Sequence, residues 1–464
     1  MKMPSSNINF RKFLGKTGLG VFSSLLISSP AFAADDLLEI YNLAVAGDPQ
    51  IRQARAEFNA THTNVAQGFS QLLPAVDLTA STSRQAQGPS TASPGSPFPA
   101  FSQANGFNEK RYGLNIRQNI LNFNAWYSYK SFRKADEAAA TNLARSEQEL
   151  IQRVATAYFD VLRSEDNLET FEAELETSAR ILEQQEERFA VGLVPITDVY
   201  DAQAAYDLAR VNLLVEENAL NQRYEALEAI TGRNHDDVSN LSEAFPIEPL
   251  APTSLEEWVM IANQNNLDVK AARLNMESRE YEADAAKAAM LPTLDLSAGY
   301  TWVETGGINF FNLAGGGGDA VNENSNITLN LSFPLFAGGL NRARERQAFY
   351  NLDASEEALL NTQRTSTQAA RNSYRNVEND VLTISARAQA VVSARAQLDA
   401  TEAGLEAGTR NIVDVVTAQR LLFQSMRDYA NARYTYVINT LNLKQAAGLL
   451  SPQDIIDLNE WLLE

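Results

Sequence analysis

Leu291-Pro292-Thr293-Leu294-Asp295-Leu296-Ser297-Ala298-Gly299-Tyr300-Thr301-Trp302 sets apolar Leu294, Leu296, Ala298, Tyr300 and Trp302 against polar or small Asp295, Ser297, Gly299 and Thr301. A period of two predicts a strand with unlike faces. Its first six residues echo Leu73-Pro74-Ala75-Val76-Asp77-Leu78, where Val76, Leu78 and Ala80 alternate with Asp77, Thr79 and Ser81. Each strand has a partner downstream. Tyr112, Leu114 and Ile116 alternate with Gly113, Asn115 and Arg117, and Ile327, Leu329, Leu331 and Phe333 with Thr328, Asn330 and Ser332. The pattern predicts strands at about 74–86, 108–121, 292–304 and 324–336. One wet and one apolar face over such lengths suits a membrane β-barrel wall, with Tyr300 and Trp302 at an interfacial girdle, although a soluble antiparallel sheet alternates too. Gly88 to Gly106 and Gly306 to Asn326 read as external loops. The run Gly315 to Gly318 is no phosphate cradle, since no Lys-Ser/Thr follows it and no helix begins there.

The echo extends along the chain. Gly192, Asp198, Val199, Ala202 and Gln203 recur in register as Gly408, Asp414, Val415, Ala418 and Gln419, and Gly232 recurs as Gly448, at offsets of 215 to 218 residues throughout. The chain is therefore an internal duplication. A first repeat spans 34–232, with a long helical hairpin over 126–231, and a second spans 254–450, with its hairpin over 340–447. A linker or equatorial segment, 233–253, carries Pro246, Pro249 and Pro252, and residues 451–464 form a C-terminal equatorial segment.

The hairpins read as coiled coils. Val161, Leu168, Leu175, Leu182 and Phe189 fall seven apart, as do Val199, Tyr206, Leu213, Leu220 and Leu227. The second repeat gives Val377, Ile384, Val391, Leu398 and Leu405, then Val415, Leu422, Tyr429, Tyr436 and Leu443. A sustained seven-residue period imposes left-handed supercoiling. At 1.5 Å per residue the helix beginning near Trp126 runs roughly 100 Å, about three times the thickness of the bilayer's hydrocarbon. It is rich in Glu, Gln and Arg, so it spans water and not lipid.

The N-terminus predicts export. Lys2, Arg11, Lys12 and Lys16 precede a short apolar run, Leu19 to Ser29, and Ala31-Phe32-Ala33 offers a small-x-small cleavage site, so 1–33 reads as a signal peptide. Without those four basic residues, 34 basic against 58 acidic side chains leave the mature chain at −24. That balance argues against nucleic acid and against anionic lipid as partners. The chain has no cysteine, which excludes disulfides, thiolate chemistry and an N-terminal lipid anchor on cysteine. Its two histidines, His62 and His235, share no metal-ligand spacing and are expected to face solvent. Neither a catalytic constellation nor a cofactor motif is present in the sequence, so the chain reads as a non-enzyme.

Four strands cannot close a membrane barrel, because the smallest have eight and an open edge is prohibitive in lipid. Cyclic symmetry allows eight, twelve or sixteen strands from two, three or four copies. The same symmetry wraps the hairpins into a second tube, giving one conduit. A passive porin has no need of helices about 100 Å long, and a structural rod has none of alternating strands bordered by aromatics.

Four stretches carry a family likeness: Ala157-Tyr158-Phe159-Asp160-Val161-Leu162; Arg188-Phe189-Ala190-Val191-Gly192-Leu193-Val194-Pro195-Ile196-Thr197-Asp198-Val199; Ala403-Gly404-Leu405-Glu406-Ala407-Gly408-Thr409-Arg410-Asn411-Ile412-Val413-Asp414-Val415; and Ala430-Asn431-Ala432-Arg433-Tyr434-Thr435-Tyr436. With them the chain resembles the TolC family of outer-membrane efflux and secretion channels over nearly its whole mature length. The resemblance implies an α+β membrane protein: a homotrimer whose twelve-strand outer-membrane β-barrel, four strands per chain, continues into a twelve-helix α-helical coiled-coil barrel in the periplasm. It implies docking to a periplasmic adaptor and to an inner-membrane pump driven by protons or ATP. It implies export of drugs and other toxic small molecules, with proteins as a further cargo class.

The resemblance also assigns residues. Thr197 and Asp198 on the first hairpin and Arg410 on the second would link adjacent hairpins at a closed entrance, and Asp414 would ring the pore constriction. Val191, Gly192 and Leu193, with Ala407, Gly408 and Thr409, would form the tips that meet the adaptor. Leu405 stands where the family usually has a tyrosine, which removes one hydroxyl link. Thr417 stands where relatives carry a second aspartate, so one acidic ring is expected in place of two.

Overall fold

The computed structural model describes residues 35–86, 106–306 and 320–462. The expected leader and most of the two external loops lie outside them. Each repeat contributes a short helix, a hairpin of strands and a long helical hairpin. In the first, α1 (Leu37–Gly47) and α2 (Pro49–Ser70) lead to β1 (Ala75–Ala86), β2 (Gly106–Leu121), α3 (Phe123–Ala190) and α4 (Ile196–Thr231). In the second, α5 (Leu255–Asn265) and α6 (Leu267–Ala288) lead to β3 (Thr293–Gly306), β4 (Ala320–Ser332), α7 (Leu340–Glu406) and α8 (Ile412–Ala446), with α9 (Pro452–Asn459) closing the chain.

The strands form one antiparallel sheet in the order β1-β2-β3-β4, leaving one edge of β1 and one of β4 unpaired within the chain. The register lines up Val76, Ile116, Ala298 and Ile327, and two residues on, Leu78, Leu114 and Tyr300. The apolar alternation thus falls on one face, and that face is bare: Leu78 and Ile327 are each 80% exposed. β4 differs from its expected bounds at both ends. Residues 320–323, outside the expected strand, pair with β3 from Thr305↔Ala320 onward, because backbone pairing needs no apolar side chain. At the other end the ladder stops at Ser332, just before Phe333 and Pro334, and proline has no N–H to give to a ladder.

The long helices carry the seams the heptads predict. Val161, Val377, Val415 and Leu443 are buried, whereas Phe189, near the tip, is exposed. The core lies at mid-length, where α1, α5, α9 and the 233–254 segment wrap the helices. Tyr158 of α3 donates to the carbonyl of Ser239 at 2.6 Å, Tyr374 of α7 donates to that of Thr253, and Gln148 of α3 donates to that of Leu450 at 2.8 Å. Asp35 bridges Val238 and Leu241 bridges Leu462, tying both chain ends to this collar. The short helices continue the returning ones. Gly47, between α1 and α2, abuts the end of α4 so closely that a Cβ would stand 2.4 Å from the Thr231 carbonyl oxygen, and Gly448 meets Asn265 in the same way at 2.3 Å.

His235 corrects the expectation of a solvent-facing histidine. It is buried, with Nδ1 2.6 Å from an Asp35 carboxylate oxygen and Nε2 2.8 Å from the Thr231 hydroxyl. The turn after α4 folds it beneath the N-terminal segment, a contact across 200 residues. His62 is exposed as expected and lies 3.0 Å from an Asp136 carboxylate oxygen.

Candidate functional site

The two hairpin tips are built alike. After α3, Gly192 takes φ +78°, its N–H donates to Phe189 and the N–H of Leu193 donates to Arg188, both at 2.9 Å. After α7, Gly408 takes φ +72°, its N–H donates to Leu405 at 3.1 Å and that of Thr409 to Gly404 at 2.9 Å. This is the left-handed glycine cap that satisfies the last carbonyls of a helix. It turns the chain tightly enough to start the return helix within six residues. Apolar side chains are left outermost, with Val191 71% and Leu193 73% exposed.

The expected gate residues sit at these tips, but a single chain does not join them across the hairpins. Thr197 donates its hydroxyl to the neighbouring Asp198 carboxylate at 3.4 Å. Arg410 instead reaches Asp414 in its own hairpin, with Nη1 3.8 Å from Oδ2. Gly404 is what lets Arg410 lie back on α7: a Cβ there would stand 2.7 Å from the Arg410 Cγ. Asp414 also has a local task. Asn411 caps α8 by accepting from the Asp414 N–H at 2.9 Å, and the Asp414 carboxylate accepts from the Asn411 N–H at 3.4 Å. Such a capping box stabilises a helix start. The Thr417 hydroxyl is turned onto its own helix, donating to the Val413 carbonyl at 2.7 Å.

Farther from the tips the structure shows links that sequence reading missed. Arg427 of α8 donates to Glu174 of α3 at 2.9 Å, both largely buried, and its guanidinium carbon lies 4.1 Å from the centre of the Phe171 ring. One step up, Tyr434 of α8 donates to Asp166 of α3 at 2.7 Å, while Tyr224 of α4 donates to Glu165. Adjacent carboxylates on α3 thereby hold the return helices of both hairpins. Burial pushes the Glu165 carboxyl up to about 7, with the like charges of Asp237 and Asp166 adding to the effect against the lowering pull of the Tyr224 hydroxyl. Asp166 is raised too, chiefly by burial. Nearer the tips than the Arg427 pair, buried Gln185 and Gln419 have amide nitrogens without partners among the described residues. No periodicity flags these groups, since each pairing joins segments tens to hundreds of residues apart.

Where α8 gives way to α6, helices α3, α6, α7 and α8 enclose a polar concavity of about 820 Å³, with Asn142, Asn275, Thr365, Asn439 and Asn442 on its walls. Among the described residues no group of His, Cys, Asp and Glu could hold a metal ion, and no helix is long and apolar enough to cross a membrane.

The comparisons with known proteins agree on one family. Residues 40–233 and 258–449 match the family described as outer membrane efflux protein, once per repeat. The chain is 35% identical over 446 residues to the outer membrane protein TolC of Vibrio cholerae serotype O1, spanning 96% of this chain and 98% of that protein. It is 26% identical to the alkaline protease secretion protein AprF of Pseudomonas aeruginosa, over 93% of this chain and 88% of that one. Among solved structures it superposes on the Campylobacter jejuni CmeC outer membrane channel with a TM-score of 0.73 at 18% identity, covering 92% of this chain and 90% of that one. At that identity the likeness shows the shared fold. Two matched repeats and a relative aligned end to end show more: the chain belongs to the outer membrane efflux protein family, is an internally duplicated TolC-type protein, and resides in the outer membrane.

Proposed function

We propose that three copies of this chain close into one gated duct that exports small toxic molecules, and proteins where a secretion pump supplies them, from the periplasm to the exterior. One observation carries the reading. A four-strand sheet with a bare apolar face and two unpaired edges continues directly into helices of 68 and 67 residues. In lipid the edges must pair with further copies, and the attached helices then form the walls of a tube on the same axis. The exposed Val191 and Leu193 at one tip, with Ala407, Gly408 and Thr409 at the other, form the surface for a periplasmic adaptor, which couples the duct to a proton- or ATP-driven inner-membrane pump. Asp198 and Thr197 of one hairpin tie to Arg410 of the adjacent one when the entrance is shut. The chemistry is passage and not catalysis.

Asp414 is the residue at which this proposal is sharpest. Three symmetry copies about 6 Å apart repel by roughly 3 kcal/mol per pair at an effective dielectric near 20. Such a ring relieves its repulsion by holding cations. The resting channel is therefore cation-selective and blocked from the periplasmic side by a trivalent cation, more weakly than in a channel with two acidic rings. Asp414→Asn abolishes the block with the trimer intact, and Thr417→Asp tightens it. If current recordings show the block unchanged in Asp414→Asn, the carboxylate serves only the capping box seen within the chain.

A further inference from the structure

The chain's acidity is not spread evenly, and the departure lies where the helices meet the sheet. Lys130, on the second turn of α3, places its ammonium nitrogen 5.7 Å from the Trp126 ring, 5.5 Å from Tyr127 and 5.4 Å from Tyr281 of α6. Arg342 and Arg346 stand one turn apart at the start of α7, whose first turn carries no acidic residue. Neither arginine makes an ion pair among the described residues. The helix dipole disfavours cations at a helix start, so these two are not there to stabilise α7.

The heptad repeat fixes which way they point. Trp126 and Lys130 precede Val154 and Tyr158 by four heptads, and Arg342 and Arg346 precede Ala370 and Tyr374 by four heptads. In helices supercoiled on a seven-residue repeat, positions whole heptads apart share a face. Tyr158 and Tyr374 are the residues covered by the collar segment, through Ser239 and Thr253. Lys130 and Arg346, in the register of Tyr158 and Tyr374, therefore lie on the collar's side of the wall, and Trp126, Arg342 and Arg346 are exposed on the chain. Lys130 and Arg346 sit about 11 Å and about 9 Å from the first residues of their helices at 1.5 Å per residue. Beside them the chain between β4 and α7 leaves Leu335 84% and Phe336 88% exposed. Lys287 adds a further exposed cation at this level, where Glu282, Asp284 and Glu345 are half-buried acids.

We infer that this girdle of Trp126, Lys130, Tyr281, Arg342 and Arg346 binds the anionic headgroups of phospholipids in the periplasmic leaflet of the outer membrane. Aromatic rings favour the headgroup level, and juxtamembrane Lys and Arg are drawn to anionic lipid. Lys130, held against three rings, has its ammonium where a lipid phosphate sits, and Arg342 and Arg346 give two more donors from the neighbouring helix. The net charge of the mature chain argues against anionic lipid, but the argument weakens locally, since neither Arg342 nor Arg346 is paired with a carboxylate among the described residues. The inference rests on residence in the outer membrane and on the lipid-facing sheet, and not on gating.

The test is native mass spectrometry of the purified full-length assembly, reconstituted with an equimolar mixture of phosphatidylglycerol and phosphatidylcholine of the same acyl chains. The wild type retains phosphatidylglycerol preferentially, and the preference falls about fivefold for each basic residue removed in the series Lys130→Gln, Arg342→Gln, Arg346→Gln. A control triple, Arg364→Gln/Arg371→Gln/Arg375→Gln, removes equal charge about 27 Å or more farther along α7 and keeps the preference. Equal retention of both lipids by the wild type overturns the inference, as does a preference unchanged in the girdle series or lost equally in the control. Should the girdle variants not assemble, the wild type at 1 M salt decides. Screening removes the preference if it is electrostatic, and a preference that survives contradicts the assignment. Because the readout is bound lipid, a failure of the export reading leaves this result standing.

Discussion

At the hairpin tips, Arg410 lies back over Gly404 and within 3.8 Å of Asp414, while on the other hairpin Thr197 donates to Asp198. An exposed ion pair is worth about 0–1 kcal/mol, so a gate secured by such links is loosened in steps. Arg410→Ser raises single-channel conductance, and adding Asp198→Ala changes it little further if the two residues are partners across adjacent hairpins. Additive effects of that pair, with non-additive effects of Arg410→Ser and Asp414→Asn, assign Arg410 to the link within its own hairpin. Glu165 gives a second prediction at this scale. Its carboxyl is raised from the ordinary 4.5 to about 7 by burial, so the folded chain favours the protonated form. That contribution to stability is complete below pH 4.5 and is lost as the pH rises through about 7. Glu165→Gln therefore leaves the thermal midpoint almost unchanged at pH 4 and raises it at pH 8. An equal effect at both values refutes the shift.

Between the equatorial collar and the tips, the two hairpins of one chain are joined by the Arg427–Glu174 pair and, above it, by Tyr434–Asp166. Removing one partner of a buried pair leaves the other charge unpaired, at about 3–5 kcal/mol. Arg427→Met thus lowers stability by about 3 kcal/mol, and Glu174→Gln in the same chain recovers most of it; chemical denaturation of the four variants measures the coupling. A double variant no more stable than Arg427→Met denies the link. At this scale the sequence was legible wherever the signal was local and periodic. The seams at Val161, Val377 and Val415, the glycine caps at Gly192 and Gly408, and the alternation of β1 to β3 all announced themselves. The start of β4 did not, because Asn322 and Glu323 pair through their backbones while their side chains break the apolar pattern. His235, Glu174 and Arg427 were illegible for another reason. Each owes its burial to a partner distant in the chain, and nothing in their own neighbourhood distinguishes them from solvated polar residues.

The whole molecule reconciles two surfaces that one copy leaves exposed. The sheet shows an apolar face and open edges, and α4 shows Val211, Leu214 and Val215 to solvent along its length. The proposed ring of three copies would cover the edges and bring α4 of one beside α7 of the next. In that proposal the entrance is where six tips converge. The fold was readable because duplication, period two and period seven each report it independently. Closure of a ring was readable only as a constraint, since symmetry permits more than one copy number and three is what the resemblance to the TolC family implies. Single-channel recording in planar bilayers bears on the central claim most directly. A gated duct gives a small, mostly closed, cation-selective conductance that rises several-fold in Arg410→Ser. A large, steady conductance in the unmodified protein, unaffected by that substitution, contradicts it.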